Sequence, residues 1–218
     1  MGASIRGWLD AAAACVQRVD AEEVERAVAA LRRVREAGGT IFTAGNGGSA
    51  STASHFALDL QKAARPDGRG TRAIALSDSM GLVTAWGNDS RFDRVFAEQL
   101  AVLGRRGDAL VVISVSGASP NVLAVLETAR QFGMVTVAFL GKDGGPARPL
   151  ADYPVVVPSD DFGWVESAHL VLEHVVTYSL ARAPGTTSDL GDRPQTTGGP
   201  SARPSERSDQ HGPKGRAG

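Results

Sequence analysis

Thr40-Ile41-Phe42-Thr43-Ala44-Gly45-Asn46-Gly47-Gly48-Ser49 continues into Ala50-Ser51-Thr52-Ala53-Ser54-His55-Phe56-Ala57-Leu58-Asp59-Leu60-Gln61. The apolar run 40–44 reads as a buried strand, and the segment after the glycines as a helix, so the turn lies at the carboxyl end of a strand, where open α/β sheets bind ligands. Glycine there permits positive φ and lets a ligand approach the main chain. Ser49 is a suitable N-cap, and the free N–H groups and dipole of the helix favour an anion. The same residues also suit a plain tight connection.

Outward from this unit the pattern repeats. Strands are expected at 40–44, 72–76, 108–114, 134–140 and 153–157, and helices near 50–63, 80–86, 92–102, 120–132 and 164–182. Residues 4–37 carry apolar side chains at helical spacing and stop at Gly38-Gly39, a natural helix end. Five strands joined by helices predict an α/β fold: a doubly wound, mostly parallel sheet covered on both faces.

The 108–114 strand empties into Ser114-Val115-Ser116-Gly117-Ala118-Ser119-Pro120-Asn121. Its three hydroxyls and turn N–H groups can grip a phosphate monoester without a fixed positive charge. A serine-rich capping loop is the alternative.

Composition narrows the function classes. With 218 residues, 42% of them hydrophobic, the chain can bury one α/β core,. A net charge of −1 argues against nucleic acid or an anionic membrane surface as partner,. A lone cysteine, Cys15, offers no disulfide framework. With no apolar run near the ~20 residues that span a bilayer and no leader-like start, a cytoplasmic setting is expected. Beyond Ala183 the composition turns to Pro, Gly, Ser, Thr and mixed charge; residues 1–183 are read as one domain and 184–218 as a disordered tail.

Five titratable groups are candidates for the chemistry. His55 and Asp59, spaced i, i+4, share one helix face,. The 164–182 helix adds Glu166, His169 and His174, and its apolar residues cover so much of its circumference that buried ionisable groups there require an explanation,. His55, Asp59, Glu166 and His174 make a mixed N and O donor set compatible with Zn²⁺. Glu166 and His174 stand about 12 Å apart along a straight helix, so the expectation is a site completed by ligands from two copies of the chain.

These residues together resemble the SIS (sugar isomerase) domain family and, within it, the phosphoheptose isomerases. The resemblance rests on Gly45-Asn46-Gly47-Gly48-Ser49 with His55-Phe56-Ala57, Gly87-Asn88-Asp89, Ser114 to Ser119, Gly141-Lys142-Asp143-Gly144-Gly145, and Glu166 to His174. It implies a flavodoxin-like sheet, a homotetramer built through helices including the N-terminal one, and an active site between subunits. It places Asn46, Gly47, Gly48, Ser49, Asn88 and Asp89 on the substrate, and Ser114, Val115, Ser116 and Ser119 on its phosphate. His55, Asp59, Glu166 and His174 fall on the metal positions, Asp59 and Glu166 also at the substrate, with Asp59 as base and His174 as acid. The implied reaction is a ketose to aldose conversion through an enediol, sedoheptulose 7-phosphate being the expected substrate. This chain departs from the family pattern with Asp59 for Glu, Glu166 for Gln, Val115 for Thr and Trp164 for a polar residue. A non-catalytic phosphosugar sensor, a replication-initiator partner and an isomerase of another sugar phosphate are the rival readings.

Overall fold

In a computed structural model, residues 4–64, 68 and 70–182 are described; the expected tail at 184–218 lies outside them. Five strands form one sheet: β1 (Ile41–Gly45), β2 (Ala73–Ala75), β3 (Ala109–Ser114), β4 (Val135–Gly141) and β5 (Tyr153–Val157). All neighbours are parallel, in the order β2-β1-β3-β4-β5. This is the doubly wound order in which the chain reverses direction between β1 and β3, and ligands bind beyond the carboxyl ends at that point.

Alternation along the strands supplies both faces. Ile41, Val111, Ile113, Val137 and Phe139 point into one layer with helices α2 (Ala21–Glu36), α3 (Gly48–Lys62) and α7 (Phe162–Ala181). Phe42, Ala44, Leu110, Val112 and Leu140 point into the opposite layer, against α5 (Val95–Leu103) and α6 (Pro120–Gln131). Because both faces are covered, β3 is buried at every position, which is why it reads as an unbroken apolar run.

The N-terminal pattern resolves into two helices, α1 (Ile5–Gln17) and α2, rather than one. The break falls at Asp20, whose carboxylate accepts the Glu22 N–H at 2.8 Å and restarts the helix as an N-cap,. Helix α4 (Met80–Asp89) runs three residues beyond the expected 80–86 and carries Asn88 and Asp89 at its end.

Helix α7 is held in place at both ends. Asp161 caps it by accepting the Trp164 N–H at 2.9 Å, and the guanidinium of Arg32 donates to the Ser179 carbonyl at 2.6 Å, with Arg35 donating to that of Leu180. On the facing helix, Thr43 of β1 donates to the Ala53 carbonyl of α3 at 2.8 Å. Of the two helices that carry the candidate groups, α7 is thus tied to α2 and α3 to the sheet.

Candidate active site

The glycine turn leaves β1 at Gly45, and α3 begins at Gly48. Gly47, not Ser49, is the cap: its φ is +55° and no side chain caps the helix. Ser49 lies in the first turn and is buried. The positive φ favours glycine at 47, and that backbone geometry starts the helix two residues earlier than the serine signal suggests. Glu166, on the first turns of α7, rests against this start: a Cβ added to Gly48 would lie 2.5 Å from its Oε1.

The serine loop leaves β3 beside the glycine turn. Ser114 Oγ accepts the Gly117 N–H at 3.1 Å and Ser116 Oγ the Ala118 N–H at 3.2 Å. Ser119 is the N-cap of α6, with Pro120 at the first helical position, and its side chain makes no capping hydrogen bond. Val115 is buried in the α3–α7 layer, so only its main chain can serve the loop. The two loops are joined by a reciprocal amide pair: Asn46 Nδ2 donates to Asn121 Oδ1 and Asn121 Nδ2 to Asn46 Oδ1, both at 2.8 Å. Asn121, 2% exposed, links the two loops and is a residue that the sequence did not single out.

Gly117 has φ +59°, and a Cβ there would collide with the carbonyl oxygen of Gly144 in the β4 loop. Gly117→Ala is therefore expected to destabilise the protein by more than ~1 kcal/mol and to raise KM for a phosphorylated substrate while kcat changes less. Denaturant unfolding and steady-state kinetics measure the two effects; an unchanged KM would remove this loop from the binding site.

Two turns along α3, His55 and Asp59 meet α7. His55 Nε2 lies 3.7 Å from Asp59 Oδ2, and His174 Nε2 lies 3.7 Å from the same oxygen. The imidazole rings meet edge to face with centroids 5.2 Å apart. The fourth member is Glu173: its Oε1 is 3.4 Å from His55 Nδ1 and 3.3 Å from His174 Nε2. Donor atoms of His55, Asp59, Glu173 and His174 all fall within 4.8 Å of one another. Glu166 is not in this group. The four meet within one chain, through α3–α7 packing, so a second copy is not needed to gather them.

The electrostatics are uneven. His55 and His174 are 42% and 36% exposed, whereas Glu173 is fully buried, and neither of its oxygens is hydrogen bonded. Burial, reinforced by the neighbouring Asp59 charge, pushes its carboxyl up to about 8,. One helical turn earlier, His169 is also fully buried, its ring 6.4 Å from that of Phe139. Burial pushes its pKa down to about 4, the Leu140 backbone opposing this weakly. His169 is thus a neutral core imidazole outside the cluster. Asn88 and Asp89 are exposed at the end of α4, bonded to each other at 2.8 Å.

The family model described as SIS domain matches residues 7–141. Phosphoheptose isomerase of Trichlorobacter lovleyi is 40% identical over 166 residues, covering 75% of this chain and 85% of that protein. This chain belongs to the SIS-domain family, among the phosphoheptose isomerases. A Helicobacter pylori phosphoheptose isomerase is 39% identical over 161 residues, covering 74% of this SIS chain and 84% of its relative. Among solved structures, phosphoheptose isomerases from Neisseria gonorrhoeae and Francisella tularensis superpose with TM-scores of 0.75 and 0.77 at 31% and 28% identity. Each alignment covers 81% of this chain and 96% of the other. The SIS fold accounts for both loops: they sit at adjacent carboxyl ends of β1 and β3, where the sheet reverses.

Proposed function

We propose that this chain is a ketose–aldose isomerase of a phosphorylated sugar, converting sedoheptulose 7-phosphate to D-glycero-D-manno-heptose 7-phosphate. The observation that carries the reading is Asp59 and His174 converging at 3.7 Å, Asp59 on the helix that leaves the β1 glycine turn. Kinship with phosphoheptose isomerases supports the substrate. Charge sorts the loops: the Glu166 carboxylate at Gly48 repels a phosphate from the α3 start, leaving the serine loop, where Ser114, Ser116, Ser119 and the Val115 main chain take it. Asn46, Gly47, Gly48 and Ser49 line the sugar, and Asn88 and Asp89 reach it from α4.

In this mechanism Asp59 takes the C1 proton of the ketose while the C2 carbonyl oxygen receives one from His174, giving the enediol. The enediol then loses its O1 proton and gains a proton at C2, yielding the aldose. The two carriers exchange roles within one turnover, so no net proton is consumed. Phosphate binding away from the reacting carbons supplies orientation. The donor chemistry and the unbonded Glu173 oxygens fit a divalent cation, Zn²⁺, held by His55, Asp59 and His174 with one further carboxylate. Such an ion supplies Lewis-acid polarisation of the carbonyl.

Exposed Ile5, Trp8 and Leu9 on α1, with Leu170, Val171 and Tyr178 on α7, support a homotetramer assembled through these helices. No helix among the described residues is long and apolar enough to cross a membrane; a cytoplasmic enzyme without nucleic-acid partners is the setting proposed. The deciding assay is conversion of sedoheptulose 7-phosphate by the full-length chain, with and without chelator. Turnover that falls on chelation and returns with Zn²⁺ is expected. Tight sugar-phosphate binding with no turnover would make the chain a phosphosugar sensor instead.

A further inference from the structure

We infer that Glu173, rather than Glu166, supplies the carboxylate that completes the divalent-cation site of this chain, and that Glu166 acts on substrate hydroxyls at the start of α3. The inference rests on the reading above that a cation serves the site, and names the groups that hold it. Glu173 projects from α7 next to His174, and its Oε1 lies within 3.4 Å of both imidazoles. It is fully buried, and neither oxygen has a hydrogen bond among the described residues. A carboxylate withdrawn from water without a donor costs several kcal/mol in general, and a coordinated cation is the partner that removes that cost for ionised oxygens facing two imidazoles.

Glu166 has different surroundings. Its carboxylate lies over Gly48, where any Cβ would meet it, at the positive end of the α3 dipole. A half-buried carboxylate there accepts hydrogen bonds from sugar hydroxyls arriving over the glycine turn. Lengths agree with the division: Asp59 is short, and Glu173 approaches from the opposite helix to the same pair of rings. Two carboxylates thus face the imidazoles from α3 and α7, and Glu166 is free for the ligand.

The test uses the full-length chain stripped with chelator and titrated with Zn²⁺ against a chromophoric chelator, with bound metal per chain counted and the Co²⁺-loaded visible spectrum recorded. Glu173→Gln and Glu173→Leu are expected to weaken Zn²⁺ binding at least 10-fold and to change the Co²⁺ spectrum. Glu166→Gln is expected to keep Zn²⁺ affinity within about threefold and the parent spectrum, while raising KM for the sugar phosphate. Thermal unfolding of the stripped variants reports folding, and Glu173→Leu, which leaves no polar group behind, should unfold no earlier than the parent. Loss of metal in Glu166→Gln with retention in the Glu173 variants would overturn the assignment, as would a parent chain that binds no divalent cation. In that last outcome, turnover by the metal-free chain would leave the isomerase reading standing, so the two failures are distinguishable.

Discussion

Replacing His174 by Asn, or Asp59 by Asn, lowers kcat/KM for sedoheptulose 7-phosphate by about 10²–10⁴-fold, the range expected for removal of a positioned acid or base. The fall should appear in kcat, with the Kd of the sugar phosphate nearly unchanged, because the serine loop proposed to take the phosphate lies between β3 and α6 while both residues stand on α3 and α7. Asp59 Oδ2 is equidistant from the two imidazoles at 3.7 Å, so its loss also disturbs both rings. Asp59→Glu separates the roles: it keeps a carboxylate base, one methylene longer, and should retain part of the rate. Equal losses in kcat and in sugar-phosphate affinity would show that these side chains hold substrate rather than move protons.

The second large effect concerns stability against pH in chain stripped of divalent cations. His169 falls from an ordinary 6.5 to about 4 on folding, so below 6.5 the unfolded chain binds the extra proton and stability is lost as pH drops toward 4. At 1.36 kcal/mol per pH unit the imidazole alone removes about 3 kcal/mol over that interval. Glu173 rises from 4.5 to about 8; here the folded chain binds the extra proton, and stability is lost as pH climbs from 4.5 toward 8, by about 5 kcal/mol at most. Between 4.5 and 6.5 the two slopes oppose each other, and the parent should show a plateau followed by a decline above 6.5. His169→Leu should convert the plateau into a continuous decline from 4.5. Glu173→Gln should leave a curve that rises to 6.5 and then levels. Urea unfolding at half-unit pH steps reads all three curves, and superimposable curves would show that neither group changes its protonation on folding.

Much of this architecture is legible in the amino-acid order because the sheet is covered on both faces. Tyr153–Val157 forms a strand over the residues expected, and the other four strands differ at their ends by one residue or two, since branched apolar runs leave few alternatives. The end of α1 is not legible: Asp20 looks like any polar residue on an exposed helix face until its carboxylate is seen to accept the Glu22 N–H. The start of α3 misleads for a related reason, as the serine signal at 49 is overruled by the backbone of Gly47.

At the site, the i, i+4 spacing of His55 and Asp59 could be read directly, whereas meeting His174 depends on how α3 packs on α7. Glu173 hides among Leu170, Val171, Leu172, Val175 and Val176, where an acidic residue passes for a solvated position. A signal existed: in a helix apolar around most of its circumference, His169, Glu173 and Thr177 recur every four residues, and all three are fully buried. Asn121 gave no comparable signal, because its partner lies 75 positions away.

That amide pair constrains how the gene can change. Asn46 and Asn121 each donate to and accept from the other, so a single replacement leaves the remaining amide with an unmatched donor and an unmatched acceptor in a part-buried setting,. Drift at either codon is therefore expected to be conditional on the other, a compensating change at the partner preserving the geometry that links the two loops.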